Sequence, residues 1–271
     1  MKLKPVLTIA GSDSSGGAGI QADLKTITML GCYGMSAITA LTAQNTMGVQ
    51  GIFPIPAEFL NAQIQSVFTD IPPASIKIGM IYNAAQMEAV ADSMQKYKPP
   101  FVVVDPVMVS TSGDALQKDM TRAAAHRQKL YALADLITPN LPEARALTGL
   151  PIETPTEVER AADALAQQYQ TAVLIKGGHA DGNCDDFLYT ENGGIWLRGV
   201  RVMTKHTHGT GCTLSAAIAS YMTGGVPLQK GVVMAKAYVT DALRANLEMG
   251  NGNGPIFHNF KVCENNGTER N

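Results

Sequence analysis

The sequence predicts one α/β domain with a mostly parallel central sheet flanked by helices. Three observations carry that expectation. Short apolar or β-branched runs alternate with longer amphipathic ones along the chain. The strand candidates are apolar on consecutive residues, as strands covered on both faces are. No linker or shift in composition interrupts the pattern before Glu264–Asn271, which holds no apolar residue. Residues 1–263 are therefore read as one domain and 264–271 as a disordered tail.

The elements follow in order. Val6–Ala10 is the first strand, and Ala18–Leu30 a helix with Ile20, Leu24, Ile27 and Leu30 at helical spacing. Met35–Ala43 reads as a buried strand or strand and turn. Ala57–Phe68 places Phe59, Leu60, Ile64 and Val67 on one helical face. Ser75–Met80 is a strand, Ala84–Lys96 a helix, and Phe101–Val104 an apolar strand ending at Asp105-Pro106. Leu136–Thr138 is a strand ending at Pro139. Thr156–Tyr169 is a helix with Thr156 and Glu159 as its capping box. Ala172–Lys176 is a strand ending at Gly177-Gly178. Phe187–Tyr189 and Ile195–Val202 form a hairpin around Asn192-Gly193-Gly194. Two helices, Thr213–Met222 and Gln229–Met249, close the domain.

The totals narrow the function. A chain of 271 residues with 45% hydrophobic content can bury a sizeable core. Lys plus Arg is 21 and Asp plus Glu is 23, a formal charge of −2, which argues against a nucleic-acid or acidic-membrane binder. Cys32, Cys184, Cys212 and Cys263 lie far apart and show neither a disulfide framework nor zinc spacing. No run approaches the ~20 apolar residues of a membrane span, and no secretion signal is present, so a cytoplasmic protein is expected.

Chemistry gathers where strands end, as it does in parallel sheets. The first strand runs into Gly11-Ser12-Asp13-Ser14-Ser15-Gly16-Gly17-Ala18-Gly19. Asp105, Asn140 with Glu143, and Lys176 follow three later strands. The most telling stretch is His208-Gly209-Thr210-Gly211-Cys212, a flexible turn feeding a helix. The first N–H groups of a helix lack intrahelical partners and carry about half a positive charge. Glycines let an anion approach that backbone. Cys212 would face the anion, with its thiol lowered by the helix terminus.

Each feature also has a plain reading. Cys212 could be a buried hydrophobe, Asp105 a turn former, and Asn140 with Glu143 a helix cap. Met80, Val107 and Met108 sit where core is expected. Lys176 after an apolar strand is harder to explain as structure, and so is polar Gln44. Gly17, Gly19 and Ala22 fit only the looser dinucleotide fingerprint, too far from the strand and without the later acidic residue. There is no G-x-x-x-x-G-K-[ST] motif, no protein-kinase set and no H-E-x-x-H.

Gly11–Thr26, Asp105-Pro106-Val107-Met108, Thr138–Ala144 and His208–Thr213 together resemble the bacterial hydroxymethylpyrimidine/phosphomethylpyrimidine kinases of thiamine biosynthesis, in the ribokinase superfamily. The resemblance runs from Val6 to the last long helix. It implies ATP-dependent phosphorylation of 4-amino-5-hydroxymethyl-2-methylpyrimidine and then of its monophosphate. Gly209, Thr210, Gly211 and Cys212 would form the anion hole, and Asn140 and Lys176 would meet the phosphates. Asp105 and Glu143 would organise Mg²⁺, with a monovalent cation left open beside it. Gln44, Ala18, Asp23, Met80 and Val107 would hold the pyrimidine. The resemblance implies a homodimer. Many superfamily relatives carry Asp at the position of Cys212, so its role as base stays open. A pyridoxal kinase of the same subfamily and a non-catalytic pyrimidine-binding protein remain as alternatives. Ser110–Leu116 leaves open a lid.

Overall fold

The computed structural model describes residues 3–108, 124–177 and 184–265. Gly178, Ser110–Leu116 and tail residues 266–271, all discussed above, lie outside them. The elements are β1 (Pro5–Asp13), α1 (Gly19–Met29), β2 (Tyr33–Asn45), β3 (Gly48–Pro54), α2 (Ala57–Asp70) and β4 (Ser75–Ile78). Then come α3 (Ala84–Tyr97), β5 (Val102–Val104), α4 (Ala124–Tyr131), β6 (Leu136–Ile137), α5 (Leu141–Thr148) and α6 (Pro155–Tyr169). The chain continues through β7 (Ala172–Ile175), β8 (Asp186–Thr190), β9 (Gly193–Leu197), α7 (Thr210–Met222), α8 (Leu228–Arg244) and α9 (Phe260–Asn265).

The strands form one sheet in the order β3-β2-β1-β4-β5-β6-β7-β8-β9. The strands from β2 to β7 run parallel to their neighbours in that order, while β3, β8 and β9 pair antiparallel at the two edges. Both faces are covered, which explains the unbroken apolar strands. Leu7, Ile9, Ile76, Ile78, Val102, Val104 and Ile137 pack under α2–α6. Val6, Val103, Leu136 and Leu174 pack under α1, α7 and α8.

Four local details differ from expectation. The capping box of α6 is Thr154 with Glu157, not Thr156 with Glu159. Both pairs fit the motif, but the helix starts at Pro155, whose missing N–H costs nothing at a first helical position. β9 ends at Leu197, not Val202, and α8 ends at Arg244, not Met249. β3, with Gly48, Gly51 and Pro54, lacks the alternation that marks a strand and is an edge strand.

Candidate active site

Strand order reverses at β1: the chain passes from β1 to β2 on one side and later to β4 on the other. In open α/β sheets the crevice beyond the strand ends at such a point is where ligands bind. Here a cleft of about 560 Å³ opens at that place. Period-2 alternation sets its floor. Asp105, Thr138 and Lys176 each lie two residues beyond a strand residue packed under α7 and α8, so they face the N-terminus of α7.

Lys176 Nζ lies 2.6 Å from Asp105 Oδ1 and 4.0 Å from Glu143 Oε2. The Thr138 hydroxyl donates to the same Asp105 oxygen at 3.1 Å. Asn140 and Glu143 do form the helix cap of their plain reading. Asn140 Oδ1 accepts the Glu143 N–H and Glu143 Oε2 accepts the Asn140 N–H, both at 2.8 Å. The cap and the site coexist, because it also carries Glu143 toward Lys176. Burial pushes the Glu143 carboxyl up to about 7, with Lys176 opposing and Asp105 adding to the rise. Burial would lower the Lys176 ammonium, but Asp105 and Glu143 outweigh it and hold it above its usual value.

Gly209 caps α7 with φ 84°, and a Cβ there would meet Gly17 O at 1.9 Å. Only glycine fits. A Cβ on Gly211 would sit 3.4 Å from Lys176 Nζ and 3.5 Å from Asp105 Oδ2, so the helix end looks straight at that pair. The Thr210 N–H is taken by Thr207 O at 3.3 Å, which leaves Gly211 and Cys212 to head the helix. Cys212 is half-buried in the cleft. Its thiol is not lowered as the helix terminus alone would suggest. Burial pushes it up to about 11, and neither the Lys77 charge nor the Gly19 N–H reverses that.

Asp23 does not reach the substrate space. It is fully buried between α1 and the sheet, 2.7 Å from Lys77 Nζ, with the Thr8 hydroxyl donating to it at 2.6 Å. The register explains this: Thr8 of β1 lies opposite Lys77 of β4, and α1 lays Asp23 over both. Burial would lower the Lys77 ammonium, but Asp23 holds it above its usual value. Lys77 lines the cleft and escaped notice because it sits inside an apolar strand.

At the other end, Gln44, Ala18, Met80 and Val107 all line the cleft. Met80 packs on Ala40 and Val107 joins them, so core and cleft wall are one patch. Gln44 stands at a bulge in the β2–β3 pairing, its carboxamide 3.0 Å from Thr42 Oγ1. Asp13, to which the sequence pattern gives no role of its own, also lines the cleft. It accepts from Ser15, Gly17, Ala18 and His208, and so shapes the loop that Ala18 ends. Burial would raise its carboxyl, but the His208, Ser15 and Ala18 bonds outweigh that and hold it at about 2.

A family model described as phosphomethylpyrimidine kinase matches residues 13–257. The chain belongs to that family. It is 48% identical over 261 residues to the hydroxymethylpyrimidine/phosphomethylpyrimidine kinase of Haemophilus influenzae, covering 94% of this chain and 97% of that one. It also spans 52% of the thiamine biosynthesis bifunctional protein of Geobacter sulfurreducens, at 46% identity over 93% of this chain. Among solved structures, the phosphomethylpyrimidine kinase of Clostridium difficile is 44% identical with a TM-score of 0.79, over 89% of this chain and 99% of that one. An ADP complex of Bacillus subtilis pyridoxal kinase gives a TM-score of 0.88 at 33% identity, over 96% and 99%. The fold is thus shared with pyridoxal kinases, whereas sequence identity is higher to the pyrimidine kinases.

Proposed function

We propose that this protein is an ATP-dependent kinase that phosphorylates 4-amino-5-hydroxymethyl-2-methylpyrimidine and then its monophosphate to the diphosphate, in thiamine biosynthesis. The observation that carries the proposal is the α7 N-terminus. It opens between an apolar wall of Met80 and Val107 beside Gln44 and a half-buried lysine flanked by two carboxylates.

The residues divide the work. Met80 and Val107 offer flat apolar contact to a ring, and Ala18 leaves room beside them. Gln44 can both donate to a ring nitrogen and accept from an exocyclic amine. The amides of Gly211 and Cys212 bind the transferring phosphoryl group, where charge builds on oxygen. Lys176 neutralises the phosphates of ATP as a point charge, and Asn140 shapes their edge of the site. Val202, Val239 and Leu243 form an apolar wall at the far end that suits the base of ATP. Cys212 faces the acceptor hydroxyl and takes its proton as a thiolate.

Asp105 and Glu143 fit Mg²⁺. They are two buried hard-oxygen donors with one lysine beside both. No group of three or more His, Cys, Asp or Glu that could hold a metal occurs among the described residues. Mg²⁺ does not need one, because it keeps several waters and binds substrate phosphates. When bound, the ion neutralises charge that develops on the phosphoryl oxygens.

A homodimer would cover the exposed Leu41 and Phe53, which are cross-strand partners on β2 and β3. A cytoplasmic setting accords with unpaired Cys32, Cys184 and Cys212. No helix among the described residues is long and apolar enough to cross a membrane.

Gln44 separates the pyrimidine reading from a generic one. Calorimetry on Gln44→Met should show hydroxymethylpyrimidine binding weakened by about 1–3 kcal/mol, because the ring's polar groups lose their partner. Affinity for a non-hydrolysable ATP analogue should hardly change. Equal losses for both ligands would make Gln44 a structural residue and remove the basis for ring choice.

A further inference from the structure

Two loops 195 residues apart in the chain close on one carboxylate. Asp13 Oδ1 accepts the Ser15 N–H at 2.9 Å and the Ser15 hydroxyl at 2.8 Å. Asp13 Oδ2 accepts the N–H groups of Gly17 at 3.1 Å and Ala18 at 2.8 Å. Nε2 of His208 completes the set at 2.8 Å from the same oxygen. Both side chains are buried, Asp13 to 3% and His208 to 5% exposure. The loops also touch directly. A Cβ on Gly17 would lie 2.4 Å from His208 Cδ2, and one on Gly209 would strike Gly17 O. Ala18 caps α1 and Gly209 caps α7, so the pair locks two helix starts together.

His208 is held from its other side as well. Its N–H donates to Gly254 O at 3.0 Å, and it pairs with Pro255 as a parallel bridge. The same strap grips the turn between β2 and β3: Asn253 N–H donates to Thr46 O at 3.0 Å and Gly252 N–H to Thr46 Oγ1 at 3.2 Å. Gln44, two residues before Thr46, places Nε2 3.4 Å from His208 Nε2. The β2–β3 turn, residues 252–255, His208, Asp13 and the 13–18 loop therefore form a ring of contacts beside the cleft, closed by the Ser14 hydroxyl donating to Gln44 O at 2.8 Å.

We propose that Asp13 and His208 are a positioning pair that makes binding of the pyrimidine and of ATP cooperative. The inference rests on the assignment of the Gln44 end to the acceptor and the α7 end to the phosphates. A ligand lodged against Gln44 and Ala18 restrains the 13–18 loop further. Through Asp13 that order reaches His208 and the Gly209–Cys212 amides. The second ligand then meets a site already fixed and loses less freedom on binding. The same factor must hold in both directions.

The test measures the dissociation constant of a magnesium-loaded, non-hydrolysable ATP analogue with and without saturating hydroxymethylpyrimidine. Wild type, Asp13→Asn and His208→Gln are compared. Wild type should tighten about fivefold or more when the pyrimidine is present, within the usual range of coupling between sites. In both variants that factor should fall to about one to two, while each ligand alone still binds. Loss of packing alone would weaken ligands without changing the ratio. If Asp13→Asn does not fold, His208→Gln decides. An unchanged factor in the folded variants, or no coupling in wild type, overturns the inference. Failure of wild type to bind either ligand alone overturns the functional assignment instead.

Discussion

Cys212 shows how a single residue's environment can outweigh its position. A helix N-terminus favours a thiolate, but burial places this thiol at about 11. In the base role proposed for it, Cys212 would work from a small thiolate fraction near neutrality. The value of kcat/KM reports the free enzyme's groups. It should climb about tenfold per pH unit between roughly pH 7 and 9.5, because the thiolate fraction does so below its pKa. Cys212→Ala should lower turnover by ~10²–10⁴-fold and flatten the profile. A flat profile in wild type, or near-normal turnover in the alanine variant, would leave catalysis to the amides and cations. Lys176 and Gln44 stand out in the sequence because a polar group interrupts an apolar pattern, and both line the cleft. Asp23 does not follow that pattern: its motif position says nothing of the Lys77 ion pair that keeps it out of the cleft. Lys77 was hidden by the strand around it.

Among the elements, the loop between β1 and α1 is held by Asp13, and that carries a cost in acid. Its carboxyl drops from 3.8 to about 2 in the folded chain. A depressed carboxylate stabilises the fold above its unfolded value and loses that contribution as pH falls through the folded one. The window is thus about pH 4 to 2, and the contribution at neutral pH is about 2 kcal/mol. Urea denaturation should find Asp13→Asn less stable by about that amount at pH 7. The gap should stay level down to about pH 5 and narrow below 4. A gap that ignores pH would mean the variant acts through shape alone. The strands and helices themselves were legible because burial on both faces leaves unbroken apolar runs. Boundaries were less so: Pro155 moved a capping box, and glycine-rich β3 gave no alternation to read. Asp13 was invisible for a different reason. Its decisive partner, His208, is remote in sequence, and no local pattern records it.

At the scale of the whole molecule, the reversal of strand order at β1 gathers the ends of β1, β4, β5, β6 and β7 around the α7 N-terminus. That topology was foreseeable in class but not in order, since edge strands and crossovers leave no periodic trace. The fold alone would serve pyridoxal as well, as the Bacillus subtilis neighbour illustrates. On the proposed function, this cleft moves a phosphoryl group from ATP to a hydroxymethylpyrimidine, and then a second to the product. The most direct measurement is mass analysis of the products formed with magnesium-ATP, hydroxymethylpyrimidine and pyridoxal competing at equal concentration. The pyrimidine should appear first with one phosphate and later with two, while pyridoxal stays largely unmodified. An unphosphorylated pyrimidine, or pyridoxal phosphate as the main product, would contradict the account.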